Sequence, residues 1–217
     1  MAAMLEKLVA DARAMAVTAA PRAFLGIAGP PGAGKSALAR YLVEEVRQEL
    51  GADSVAYVPM DGFHLSNAQL DRIGRRHRKG APDTFDVRGY LALLRRLHTE
   101  EARVYVPGFD RALDEPIAAR HVVERSVRLV VTEGNYLADD APLWRDVRFL
   151  LTELWYADAD DATREARLVE RQMAAGRGAE AARAWVERSD RENGEVVKPT
   201  RANCTRVVRV GDCARLR

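Results

Sequence analysis

The chain contains the stretch Gly29-Pro30-Pro31-Gly32-Ala33-Gly34-Lys35-Ser36, followed by Ala37. It matches in full the pattern Gly-x-x-x-x-Gly-Lys-Ser/Thr of a phosphate-binding loop. Glycines in such a loop let backbone N–H groups turn inward around an anion, and the following helix adds the positive end of its dipole. The lysine reaches the β- and γ-phosphates, and the serine hydroxyl can ligate Mg²⁺. We therefore predict that residues 29–37 bind the phosphates of a nucleoside triphosphate with Mg²⁺, that Lys35 is catalytic and that Ser36 is a metal ligand.

The segments around this loop predict an α/β fold. An apolar run at 23–28 leads into the glycines, and an amphipathic segment at 37–50 follows them, which is the strand–loop–helix context that the motif requires. Further strands are predicted at 55–60, 104–106, 127–132, 149–156 and 206–210, and further helices at 86–98, 162–174 and 179–193. Strands that alternate with helices form a mostly parallel sheet covered on both faces. We expect a three-layer sandwich with five or six strands, typical of P-loop NTPases.

Length and composition set the broad class of protein. The 217 residues suit a single domain over 1–217, with a packing helix in residues 1–20. A net charge of +2 and the absence of a basic stripe argue against nucleic-acid binding. The first twenty residues carry four charged side chains, so we expect no signal peptide, no membrane insertion and a cytoplasmic location. The two cysteines, Cys204 and Cys213, are interpreted as free thiols.

Two carboxylates follow predicted strands. Asp61 comes directly after the strand at 55–60, and Glu133 follows the strand at 127–132. In parallel sheets ligands bind at the carboxyl ends of the strands, so both residues belong on the same edge as the phosphate loop. Each has a simpler interpretation, since Asp-Gly is a common turn pair and a carboxylate can cap the next element.

The remaining motifs separate the classes of P-loop protein. A GTPase should carry Asn-Lys-x-Asp to read the base, and the chain has no such motif. A mechanical ATPase usually ends a strand with adjacent Asp-Glu, whereas this chain has Thr132-Glu133-Gly134. A small-molecule kinase fits better, because it needs only a core, a substrate pocket and a lid.

Four further segments carry a specific resemblance. They are Pro59-Met60-Asp61-Gly62-Phe63-His64, residues 78–86 (RKGAPDTFD), Pro107-Gly108-Phe109-Asp110-Arg111 and Glu133-Gly134-Asn135-Tyr136-Leu137. With the phosphate loop, they resemble the phosphoribulokinase/uridine kinase/pantothenate kinase superfamily over residues 20–210. Within it, the chain is similar to the bacterial branch labelled nucleoside kinase-like or fructose-transport kinase-like.

The resemblance implies roles for particular residues. It places the catalytic aspartate at Asp61 and a glutamate near Mg²⁺ at Glu133. It implies a helical lid at about 160–190 that supplies Arg167 and Arg171 to the transferring phosphoryl group, and an acceptor pocket lined by Asp110 and Arg111. Tyr136 is a candidate wall of that pocket, although an aromatic residue after a strand is more often part of the core.

Other candidates follow from the residues themselves. Residues 72–79 contain five basic side chains, and Arg78 and Lys79 could contact an anionic substrate or simply lie in a solvated loop. His64 could donate to or accept from a substrate hydroxyl, or be a loop histidine with an internal partner. Arg164, Arg167 and Arg171 share one helix face, where interleaved acids could equally neutralise them.

The sequence therefore predicts an ATP-dependent kinase that phosphorylates a hydroxyl of a small polar metabolite. A sugar, a nucleoside, glycerate or a pantothenate-like alcohol remain open as the acceptor. The alternative is a non-catalytic NTP-binding switch associated with transport, which would need the phosphate loop but not Asp61. The resemblance also leaves a homodimer possible.

Overall fold

The secondary structure is known for residues 2–99 and 102–210, which a computed structural model describes. In these ranges the strands are β1 (Ala23–Ala28), β2 (Val55–Pro59), β3 (Val104–Asp110), β4 (Glu115–Val123), β5 (Leu129–Glu133), β6 (Glu153–Asp158) and β7 (Arg206–Arg209). The α-helices are α1 (Ala2–Thr18), α2 (Lys35–Leu50), α3 (Asn67–Arg72), α4 (Val87–Thr99), α5 (Pro142–Arg148), α6 (Asp161–Ala174), α7 (Ala179–Trp185) and α8 (Arg191–Val197).

The central sheet is parallel and has five strands in the order β2-β5-β1-β6-β7. Strand β1, which feeds the phosphate loop, lies in the middle and pairs with β5 on one side and β6 on the other. All six of its residues are buried, as expected for a strand covered on both faces. The predicted fold class, a mostly parallel α/β sandwich, is confirmed, with five strands in the sheet.

Two apolar clusters cover the two faces of the sheet and complete the three layers. One cluster joins α1 and α2 to the face that carries Leu25 and Ile27. The other joins α4 and α5 to the opposite face, which carries Phe24. The alternation of Phe24, Leu25 and Ile27 follows from the two-residue period of a strand. Helix α1 therefore packs on the sheet, at the position predicted for a packing helix.

A β-hairpin lies apart from the central sheet. Strand β3 is longer than the predicted 104–106 and pairs antiparallel with β4. Strand β4 was not predicted from the sequence. The hairpin packs closely against the turn after β2. A Cβ placed on Gly62 in that turn would collide with the carbonyl oxygen of Pro107. Residues 104–106 form a strand as predicted, but this strand lies in the hairpin, outside the five-stranded sheet, and helps to wall the edge where β2 ends.

Two predicted elements have different bounds in the structure. The predicted strand at 149–156 begins only at Glu153, because helix α5 fills Pro142–Arg148 and Phe149 is 74% exposed at its end. Phe149 caps the helix, and Leu150 and Leu151 pack on the core rather than pairing in the sheet. The predicted helix at 179–193 divides into α7, a π-helical segment Val186–Asp190 and α8.

Cys204 is a free thiol, and Cys213 lies outside the described residues. Of the helices that the structure describes, none has the length and apolar character needed to span a bilayer.

Candidate active site

The phosphate loop connects β1 to α2. Gly32 and Gly34 have φ angles of +78° and +94°. Residues that carry a Cβ rarely adopt such backbone angles. Helix α2 begins at Lys35, so its first N–H groups, which lack partners inside the helix, lie at the end of the loop. This is the backbone geometry of an anion-binding site at a helix N-terminus.

The lysine of the loop is buried and lies against the loop's own backbone. Its Nζ donates a hydrogen bond to the carbonyl oxygen of Pro30 at 3.0 Å. Burial lowers the pKa of Lys35 to about 8, and the negative charges of Glu133 and Asp61 oppose that effect. Lys35 is therefore a desolvated cation whose charge is balanced by two strand-end carboxylates.

Glu133 is the last residue of β5 and is fully flanked by neighbouring strands. The strand register pairs it with Ile27 of β1 on one side and Pro59 of β2 on the other. Its Oε1 accepts a hydrogen bond from the Tyr57 hydroxyl at 2.7 Å. Burial and the nearby Asp61 raise the pKa of Glu133, while Lys35 and the Tyr57 hydrogen bond act against this rise.

Asp61 lies in a 3₁₀ turn, Met60–Phe63, directly after β2. Its side chain is 27% exposed, and its Oδ2 accepts a hydrogen bond from Nη2 of Arg111 at 3.2 Å. Burial acts to raise the pKa of Asp61, but His64 and the cations Arg111, Lys35 and Arg171 together lower it. Asp61 is thus an accessible carboxylate that its surroundings hold in the ionised form.

His64 lies beside Asp61, with its Nε2 3.9 Å from Oδ1 of the aspartate. Its ring packs between Phe85 and Phe109, at centroid distances of 4.0 and 5.0 Å. Burial lowers the pKa of His64 to about 4, so the imidazole is neutral at neutral pH. Its Nδ1 is buried without a hydrogen-bond partner.

Four basic side chains of the segment 72–79 form ion pairs with carboxylates. Arg78 pairs with Asp83, and Lys79 pairs with Asp114 at 3.2 Å. The Lys79 ammonium group also donates to Oδ1 of Asn67 and stacks over the Phe109 ring. The prediction that Arg78 and Lys79 contact substrate stays a prediction, and both side chains already have acidic partners.

The predicted acceptor residues divide into two groups. Arg111 reaches Asp61, as described above. Asp110 instead stabilises the hairpin turn, because it accepts hydrogen bonds from two backbone N–H groups and from Arg120 at 2.8 Å. Tyr136 is buried in the aromatic core and donates from its hydroxyl to the carbonyl oxygen of Gly80. The structure therefore brings Arg111 to the site and gives Asp110 and Tyr136 internal partners.

The three arginines of α6 share one face but have different environments. Arg164 is buried and donates to the carbonyl oxygen of Pro31 at 3.0 Å, and Arg167 donates to that of Gly32 at 3.3 Å. Both therefore contact the phosphate loop itself. Arg171 is 39% exposed and lies 3.5 Å from Asp190, and the charges of Asp190 and Asp61 both act on it. Arg171 therefore lies within electrostatic range of both Asp61 and Asp190.

Sequence reasoning missed two residues of the site, Tyr57 and Asp190. Tyr57 lies inside β2, where its hydroxyl could have been assigned to Glu133 only from the strand register. Asp190 lies in a segment predicted as plain helix, and only the π-helical turn and the burial reveal it. The sequence carried no signal for either contact.

The residues at the strand ends fit a Mg²⁺ ion. In the described part of the chain, no group of three or more His, Cys, Asp and Glu side chains could hold a metal. Mg²⁺ usually retains waters and binds through one or two carboxylates together with substrate phosphates. Ser36, in the first turn of α2, supplies a hydroxyl and the buried Glu133 a carboxylate, and their role as metal ligands stays a prediction. A divalent cation would also offset the burial that raises the pKa of Glu133.

Replacing Gly32 by alanine should weaken nucleotide binding and lower stability. The new Cβ would lie 2.6 Å from the carbonyl oxygen of Arg164 and 3.0 Å from Cγ of Leu168. The positive φ adds about 1–3 kcal/mol of strain. Gly74→Ala is the matched control, since its φ is +66° and nothing lies within 4 Å of the new Cβ. Thermal unfolding and binding of a fluorescent ATP analogue measure both variants, and equal losses would contradict the predicted collision.

Known proteins are similar to this chain in both sequence and fold. No family model matches it. It is 34% identical over 177 residues to a protein of Schizosaccharomyces pombe named a putative uridine kinase, covering 79% of this chain and 75% of that protein. It is 33% identical to the protein YggC of Escherichia coli, covering 81% of this chain and 73% of the relative.

A solved structure extends the similarity. The crystal structure of a putative fructose transport system kinase from Silicibacter is 34% identical and superposes with a TM-score of 0.80, covering 91% of this chain and 98% of that one. The chain belongs to the phosphoribulokinase/uridine kinase/pantothenate kinase superfamily of P-loop kinases. The family predicted from the sequence is confirmed.

Proposed function

We propose that this protein is an ATP-dependent phosphotransferase that transfers the γ-phosphoryl group to a hydroxyl of a small polar metabolite. The observation that carries the proposal is the placement of Asp61. An accessible, ionised carboxylate stands at the strand-end edge within electrostatic range of the loop lysine Lys35. A nucleotide switch has no need for such a group, whereas transfer to an alcohol requires a residue that accepts or orients the hydroxyl proton.

The chain's own residues account for the remaining requirements of phosphoryl transfer. Lys35 and the loop N–H groups hold the β- and γ-phosphates, and Arg171 contributes positive charge from the lid side. Mg²⁺ held by Ser36 and Glu133 would neutralise phosphate charge when bound. The lowered pKa of Asp61 makes it a weak base. This suits a loose transition state in which positioning of the hydroxyl matters more than its early deprotonation.

The roles of Arg164 and Arg167 follow from their hydrogen bonds. Both donate to carbonyl oxygens of the phosphate loop, so we infer that Arg164 holds the loop against α6. The hydrogen bond from Arg167 to the carbonyl oxygen of Gly32 holds its guanidinium group beside the phosphate loop. We assign it to the phosphates together with Arg171.

The acceptor is proposed to be neutral rather than anionic. The basic segment 72–79, which could have bound an anion, is paired with Asp83 and Asp114. His64, beside Asp61, is uncharged at neutral pH. Uridine and fructose enter the candidates because relatives carry names that mention them. We also propose that the protein acts on small molecules in the cytoplasm, where ATP is available. It acts there as a monomer or as a homodimer.

A screen for ADP release tests the proposed function. The full chain is incubated with ATP and Mg²⁺ and with uridine, fructose, other sugars and nucleosides, glycerate or pantothenate, and Lys35→Met serves as the inactive control. Release that depends on one acceptor and is lost in the control supports the kinase. If no acceptor accelerates ADP release while ATP binds normally, the alternative of an NTP-dependent switch is favoured.

Replacing Tyr57 by phenylalanine should move the acidic limb of the pH–turnover profile to higher pH. The Tyr57 hydroxyl donates to Glu133, and this hydrogen bond lowers the pKa of the carboxyl group. Without it, Glu133 becomes protonated at a higher pH and loses the charge that a Mg²⁺ ligand needs. Tyr105→Phe, on the exposed face of the hairpin, is the matched control. An unshifted limb would show that Glu133 does not set it.

A further inference from the structure

Three buried polar atoms in the described part of the chain lack hydrogen-bond partners, and all three belong to side chains around the candidate active site. They are Nδ1 of His64, Nε of Arg164 and Oδ2 of Asp190. A buried polar atom without a partner is destabilising, so native proteins keep few of them. Because all three belong to residues described above at the candidate site, a bound ligand is one source of the missing partners.

Asp190 is the acid among these three, and its position is unusual. It ends the π-helical segment Val186–Asp190 between α7 and α8. Such segments widen the helix by one residue per turn and occur frequently at functional sites. The residue is 8% exposed, and its Oδ1 accepts a hydrogen bond from Arg171 at 3.5 Å. The second oxygen, Oδ2, is therefore held inside the protein without a donor.

Asp190 and Asp61 share cationic neighbours. Burial raises the pKa of Asp190, and Arg171, Arg111, Lys35 and Arg164 oppose that rise. Three of these cations, Arg171, Arg111 and Lys35, also act on Asp61, and Arg111 donates to it directly. Asp61 approaches these cations from the strand ends, whereas Asp190 approaches them from the helices that follow α6. The two carboxylates thus face one shared cationic region.

We propose that Asp190 is a specificity-determining residue of the acceptor site, whose Oδ2 accepts a hydrogen bond from a second hydroxyl of the acceptor while Asp61 receives the reacting one. This inference rests on the proposed function and narrows its substrate class to neutral polyols with at least two hydroxyls. A hydroxyl group is the suitable partner, because it donates one hydrogen bond without adding charge. The neutral His64, with its free Nδ1, is placed to contact the same molecule.

A purely positioning role is the competing explanation. Asp190 could hold Arg171 in place through Oδ1, with no contact to the acceptor. In that case its loss would slow the reaction equally for every acceptor. A role in recognition instead predicts that the loss depends on which hydroxyls the acceptor carries, so the two roles differ in a measurable way.

The test is a cycle that pairs Asp190→Ala with removal of hydroxyls from the acceptor. Each polyol that supports ADP release, such as uridine or a sugar, is compared with its monodeoxy analogues. For wild type, removal of the hydroxyl bound by Asp190 should lower kcat/KM about 10- to 100-fold, as expected for a hydrogen bond to a charged group. In Asp190→Ala the parent and that analogue should become nearly equal. Glu187→Gln, an exposed acid of the same segment, should keep the wild-type ratio.

Each outcome decides the proposal. An equal loss for parent and analogue in Asp190→Ala would overturn recognition in favour of positioning of Arg171, and an unchanged kcat/KM would remove Asp190 from the site. Asp190→Asn keeps the shape of the side chain. This variant checks that a loss of activity does not come from a loss of folding.

A thermal shift separates this inference from the proposed function. It is measured with each polyol in the presence of Mg²⁺ and a non-hydrolysable ATP analogue. A polyol-dependent rise in Tm that Asp190→Ala abolishes, without turnover, would support the acceptor site and contradict phosphoryl transfer. If no polyol is phosphorylated or raises Tm, both proposals fail.

Discussion

Replacement of Asp61 by asparagine is expected to lower kcat by about 10²-fold or more, in line with the loss of a general base, and to leave ATP binding nearly unchanged. The asparagine side chain has the same shape, so the turn after β2 should be preserved. It cannot take a proton from the acceptor hydroxyl, and it loses the charged partner of Arg111. The effect should therefore fall on kcat rather than on the affinity for nucleotide.

The measurement combines ADP release with titration of a fluorescent ATP analogue. Asp71→Asn is the matched control, because Asp71 makes an exposed ion pair with Arg76 at 3.5 Å and exposed pairs contribute little. That variant should behave as wild type. Unchanged turnover in Asp61→Asn would exclude Asp61 as the base and leave the phosphate loop without a catalytic partner.

The features that sequence reasoning predicted well are those with a local signal. Strand 23–28, the loop and the following helix all have strong patterns, and the observed β1 has the predicted bounds. The edge that holds Asp61 and Glu133 was also predictable, since parallel strands end on the same side. The strand order, in which β5 and β2 bring Glu133 next to Pro59, is what brings Asp61 and Glu133 into electrostatic range.

The features that sequence reasoning missed depend on contacts between distant residues. Strand β4 is largely exposed, so it lacks the apolar alternation that marks a half-buried strand. The apolar run at 149–151 predicts a strand, but its residues Leu150 and Leu151 pack against the core after a short helix. Likewise, the basic segment 72–79 suggests an anion site until Asp83 and Asp114 are seen beside it. Ion pairing across loops leaves no periodic pattern.

The second large effect is expected at Lys35, where function and stability should change in opposite directions. Lys35→Met should lower turnover by about 10²- to 10³-fold, because a positioned charge that stabilises the transferring phosphoryl group is lost. Methionine keeps the apolar stem in the buried site. Lys7→Met, in an exposed position of α1, is the matched control and should retain full activity.

The direction of the pKa shift determines the effect on stability. Burial lowers the pKa of Lys35 to about 8 even with Glu133 and Asp61 nearby, so the folded state disfavours the charged form. The charge therefore destabilises the fold below pH 8, and this penalty fades as pH rises from about 8 towards the unfolded value of 10.5. At pH 7 the Tm of Lys35→Met should equal or exceed that of wild type. A clear fall in Tm would show that the ion pairs outweigh desolvation.

Nucleotide binding reverses this balance and gives a pH test in the wild-type protein. The phosphates favour the charged lysine, so ATP should bind most tightly below pH 8. Above it, ATP must bind together with a proton, and the affinity should fall as pH rises. Titration of the fluorescent ATP analogue from pH 7 to 9.5 measures this fall, which should be absent in Lys35→Met. The residue that destabilises the empty site is then the one that makes it a triphosphate site, and a flat profile in wild type would contradict that assignment.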